Sequence, residues 1–77
     1  MNFRKLAVAA IKEEVKGKED NKIFICNRLM TYAELAQLAE QGDEEVKKFF
    51  LDPYVKKLKT VPEFRLQVLA MLGLSNS

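Results

Sequence analysis

The chain has three glycines, Gly17, Gly42 and Gly73, and each stands at the end of an apolar run with helical spacing. A residue without a β-carbon enters the left-handed conformation at little steric cost, so each glycine is a natural helix stop. The starts are as plain. Asn2 can cap a helix in which Phe3, Ala7, Ile11 and Val15 recur beside Leu6, Val8 and Ala10, with Arg4, Lys5, Lys12, Glu13 and Lys16 outside. Thr31 and Glu34 form a capping box, with Met30 and Leu35 placed to close a hydrophobic staple, so a second helix is predicted from Tyr32 to Gly42. Asp43 caps a third, where Glu44 and Glu45 complement the positive end of the helix dipole.

Beyond that point the pattern allows two readings. Asp52 can cap a fresh helix beginning at Pro53, or a kinked helix can continue through Tyr54, Val55 and Leu58. Val46, Phe49 and Phe50 are expected to make the inner face of this region. Thr60 and Glu63 repeat the capping box and predict a last helix from Val61 to Leu72. "KGKEDN" reads as a polar loop leading into "KIFIC", Lys22 to Cys26, whose β-branched and aromatic content suits a short strand or an extended connector; a single helical turn is a further reading. No second segment looks like a strand partner for it.

The expected fold is therefore mainly α, a compact bundle of four or five short helices with one short extended segment near residues 22–26. A chain of 77 residues has room for one core only, so residues 1–73 are read as a single domain and 74–77 as a loose tail. With 48% apolar and 31% charged residues it belongs among ordinary globular proteins. The net charge of +2 is small and the signs alternate along the chain, so any basic site must be local. The single Cys26 permits no internal disulfide and suits a reducing cytosol. The apolar run from Leu6 to Ile11 is too short for an export signal, and no stretch approaches a membrane span, so no membrane contact is expected.

Residues 31–50 resemble a helix-turn-helix. Ala36 and Val46 are ten residues apart, as are the small residue of the first helix and the buried aliphatic of the second in that motif, and Phe49 continues the inner face. The resemblance implies DNA binding through the second helix. Two departures weigh against it: Glu40 stands where the turn glycine usually lies, and Asp43, Glu44 and Glu45 would oppose phosphate at the end that should meet the groove.

Catalysis is not expected. There is no histidine, no cysteine pair, no Gly-rich phosphate loop and no nucleophile signature, and nothing suggests a metal or a cofactor. The adjacent carboxylates Glu13/Glu14 and Glu44/Glu45 diverge on a helix and cannot converge on one substrate atom.

Two binding readings remain. Lys47, Lys48, Lys56, Lys57 and Lys59 form a lysine-rich zone that could neutralise phosphates if it folds onto one side. The last helix carries more apolar residues than one face needs: with Val61, Phe64, Val68 and Leu72 turned inward, Leu66, Leu69, Ala70 and Leu74 point elsewhere. Their cover could come from the first helix or from another chain. The favoured expectation is a small non-enzymatic interaction module that binds itself or another protein through Leu66, Leu69, Ala70 and Leu74; the alternative is nucleic-acid binding.

Overall fold

The computed structural model describes residues 2–74. Helix α1 (Phe3–Glu14) is followed by strands β1 (Lys22–Ile25) and β2 (Arg28–Thr31), then α2 (Tyr32–Gln41), a short α3 (Glu44–Val46), a π-helical segment (Lys47–Leu51), α4 (Asp52–Thr60) and α5 (Pro62–Met71). The architecture is mainly α, as expected, with a two-stranded antiparallel sheet added.

The helix starts follow the polar caps in three cases. Asn2 accepts from the Lys5 amide at 3.0 Å. Thr31 Oγ1 accepts from the Glu34 amide at 3.2 Å while Glu34 Oε1 accepts from the Thr31 amide at 3.3 Å, which completes the capping box. Asp43 Oδ2 accepts from the Val46 amide at 3.2 Å. At the other end of α2, Gly42 takes φ 78° and its amide and that of Asp43 reach back to Ala39 and Leu38. This closes orphaned carbonyls of the last turn.

The second box is a correction. Thr60 does not cap α5: its hydroxyl donates to the Lys56 carbonyl at 2.8 Å, one turn back, and Val61 occupies the cap position without a side-chain bond. A threonine at the end of one helix can serve that helix or the next, and α4 runs on to Thr60 itself.

The strand also differs from expectation, because it has a partner. β1 pairs with β2 in the register Lys22–Thr31, Ile23–Met30, Phe24–Leu29 and Ile25–Arg28, and the strand stops at Ile25 rather than Cys26. Cys26 and Asn27 form a two-residue turn with φ 55° and 58°, both left-handed, as a right-twisted hairpin requires. The usual asparagine–glycine signal is missing here, so the turn was invisible to pattern reading. Ile23 and Met30 face inward and Phe24 and Leu29 outward, by the two-residue alternation of a strand.

Pro53 neither starts a fresh helix nor breaks the old one, and Asp52 makes no capping bond. The turn before it widens into a π-helix, in which the Asp52 amide bonds the Lys47 carbonyl five residues back. In an unbroken α-helix the proline ring would clash with the carbonyl of Phe49 and leave it without a donor, and a widened turn relieves both. The extra residue changes which side chains face inward. Val46 and Leu51, five apart, are both fully buried, while Phe49 is 60% exposed and Phe50 half-buried. The expected inner face of Val46, Phe49 and Phe50 is thus corrected to Val46, Leu51 and Phe50.

α1 is the hub. Its Leu6, Ala7, Ala10 and Ile11 are buried, and it packs against α2, α4, α5 and the π segment. Two alanines on that face let the neighbouring helices approach closely. Leu35, Ala36, Ala39, Val46, Leu51, Leu58, Val68 and Leu69 complete the core. Tyr54 joins α4 to α5 by standing edge-on to Phe64, 5.3 Å between centroids. Among the described residues no helix is long and apolar enough to cross a membrane.

Candidate interaction surfaces

The expected C-terminal surface divides. Leu69 is buried and belongs to the core, whereas Leu66 is 62% exposed and Leu74 58%, with Ala70 exposed between them. Leu69 turns inward against α1: Leu69 and Leu74 line a shallow groove with Leu6, Ala9 and Lys5 of α1. Val61, assigned to the inner face, is instead exposed. Leu66 and Ala70, four residues apart, lie on one side of α5, whereas Leu74 lies past the helix end, beyond the left-handed Gly73, and is exposed on the side of Leu69.

Leu74 is not part of a loose tail. Its amide bonds the Leu69 carbonyl at 2.8 Å and that of Gly73 bonds Ala70 at 3.1 Å, a closure in which Leu74 folds back toward Leu69. Residues 75–77 of the expected tail lie outside the described residues.

The five lysines are all exposed, and three of them lie over aromatic rings. Lys48 lies over the Phe49 ring at 5.4 Å, Lys57 over Phe64 at 4.4 Å and Lys59 over Phe3 at 6.0 Å. The fold does, however, build a cation–aromatic cluster that no local pattern announces. Arg65 and Lys59 both approach Phe3 at 6.0 Å, and Arg4 lines the same depression as Phe3, Val55 and Lys59.

The amino end of α3, which a DNA-reading helix would present, is engaged by the hairpin. Arg28 Nη2 donates to Asp43 Oδ2 at 3.1 Å, and the Cys26 thiol donates to the Glu45 carbonyl at 3.6 Å. One carboxylate oxygen thus caps α3 and holds β2 to it. The pairing of Arg28 with Asp43 across fifteen residues had no signal in the sequence, since neither partner stands in a motif.

A second exposed apolar feature, also absent from the sequence reading, is the outer side of the hairpin. Phe24 is 69% exposed and its cross-strand partner Leu29 64%. Periodicity shows such a pair only once the strand partner is known.

Tyr54 is the one phenol in an unusual setting. Its hydroxyl is buried without a hydrogen-bond partner, and burial, with the Glu14 carboxylate nearby, pushes its pKa up to about 12. No group of three or more histidine, cysteine, aspartate or glutamate side chains converges among the described residues.

No family model, curated protein or solved structure matches this sequence.

Proposed function

We propose that the chain is a small non-enzymatic interaction module of the cytosol that docks to another protein through α5. The observation that carries this reading is the exposure of Leu66 and Ala70 on α5 and of Leu74 just past its end, still in solvent after Val68 and Leu69 have entered the core. Leaving a leucine exposed forgoes about 1.5–3 kcal/mol relative to full burial. Exposed apolar side chains on a helix and at its carboxy-terminal end fit an apolar groove on a partner. Leu69 supports the surface from beneath and does not contact the partner.

The test compares the parent chain, immobilised as bait, with Leu66→Glu and Leu74→Glu. Both variants should keep their helix content and urea midpoint, because neither side chain is buried, and both should lose the protein that the parent retains. Identical retention by all three, or a steep fall of both midpoints, would overturn the reading.

A second reading rests on Phe3 flanked by Lys59 and Arg65 with Arg4 alongside, since cations around a ring suit a nucleic-acid strand better than scattered lysines do. In that case fluorescence anisotropy would detect micromolar binding to nucleic acid at near-physiological salt. Lys59→Ala and Arg65→Ala would weaken it equally on all sequences and flatten its salt dependence.

A further inference from the structure

The two edges of the hairpin differ in how many outward backbone groups are free to pair. In a two-residue hairpin the pair beside the turn, Ile25–Arg28, exchanges both backbone hydrogen bonds, and bonded pairs then alternate along the ladder. Ile23–Met30 is therefore bonded, while Phe24–Leu29 and Lys22–Thr31 turn their amides and carbonyls outward. On the β2 side only Leu29 keeps both outward groups free of bonds among the described residues, because the Thr31 amide is already bonded to Glu34 Oε1 and the chain passes directly into α2. On the β1 side no hydrogen bond outside the ladder reaches Lys22 or Phe24 among the described residues.

We propose that β1 pairs with β1 of a second copy, antiparallel, about a two-fold axis beside Phe24. A copy of the same strand meets two conditions for such a pair. Residues directly opposite in an antiparallel ladder share a face, and Phe24 opposite Phe24 of the copy meets this condition by symmetry. Its outward amide and carbonyl are also in phase for bonding, so each Phe24 amide donates to the other Phe24 carbonyl. The result is a four-stranded sheet whose outer face carries the row Leu29, Phe24, Phe24 and Leu29, in which each exposed Phe24 gains the other as a cross-strand neighbour. Lys22 of each copy lies at an opposite end of the short ladder, so the two ammonium groups do not face each other. The left-handed Cys26 ends the ladder and keeps it short. This pairing stops at two copies, because a two-fold interface consumes the β1 edge of both and leaves on β2 only the single residue Leu29 with free outward groups. It is independent of α5, which stays free on each copy.

Disulfide capture tests both the pairing and its register in a Cys26→Ser background, where the hydroxyl can still donate to Glu45. Opposed residues bring their Cα atoms to about 5.5 Å, within bridging range. Phe24→Cys should therefore form a covalent dimer under mild oxidation. Leu29→Cys, separated from its mate by two intervening strands, should remain monomeric. Light scattering of the parent at several hundred micromolar should show dimer, and Phe24→Lys should abolish it while circular dichroism stays unchanged. Adding Leu66→Glu to the Phe24→Cys chain should leave capture intact, which separates this surface from α5. Strictly monomeric parent protein, or Phe24→Cys bridging no faster than Leu29→Cys, would overturn the proposal.

Discussion

Leu51 and Phe49 exchange the roles that helical spacing assigns them, and a pair of alanine substitutions measures that exchange. Leu51 is fully buried, so Leu51→Ala removes three buried carbons at about 0.8 kcal/mol each and leaves a cavity besides, for a total of about 3–4 kcal/mol. A chain of 77 residues has about 4–12 kcal/mol of stability in all, so the loss is a large share of it. With a urea slope of about 1 kcal/mol per molar for so small a domain, the midpoint should fall by about 3 M. Phe49→Ala should cost less than about 1 kcal/mol, because the ring is mostly in solvent and loses little beyond its contact with Lys48. Leu51→Met, nearly equal in volume, should cost under about 1.5 kcal/mol and keeps the site measurable if the alanine variant does not fold. Urea titrations followed by circular dichroism read all three. Should Phe49→Ala prove the more damaging, the helix would continue in α register past Val46 and the π turn before Pro53 would be absent.

The two threonines that look alike in sequence should behave differently. Thr31→Ala breaks a complete capping box and should cost about 1 kcal/mol, whereas Thr60→Ala removes a bond to its own helix and should cost within about 0.5 kcal/mol; equal midpoint shifts would refute the distinction. Tyr54 supplies a pH dependence. Its folded pKa lies above the ordinary 10, so the folded state favours the neutral phenol; the resulting stability is complete below pH 10 and is lost as pH rises toward about 12. One of the two tyrosines should then show phenolate absorbance only near pH 12 in the folded protein, and Tyr54→Phe, which removes a buried hydroxyl without a partner, should not destabilise. A loss of more than about 1 kcal/mol in that variant would mean that the hydroxyl is bonded after all.

Features set within one helical turn were legible in the amino-acid sequence. The caps at Asn2, Thr31 and Asp43 and the stop at Gly42 each join groups at most five residues apart, so local pattern contains both partners. The mainly helical class follows from them, as does α1 with its apolar face of Leu6, Ala10 and Ile11. What required the tertiary structure was every choice between two locally equivalent states. Thr60 could serve either adjoining helix, and Leu69 could face α1 or solvent. Four-residue strands have too little periodicity to reveal each other, so β2 became visible only when it was seated beside β1 and tied to α3 by Arg28 and Asp43. The same holds for Phe49 and Leu51, because one additional residue in a turn rotates everything beyond it. Burial is settled by which neighbours arrive, and those neighbours are distant in the chain: Phe3 meets Lys59 and Arg65, and Leu6 meets Leu69, across almost the whole of its length.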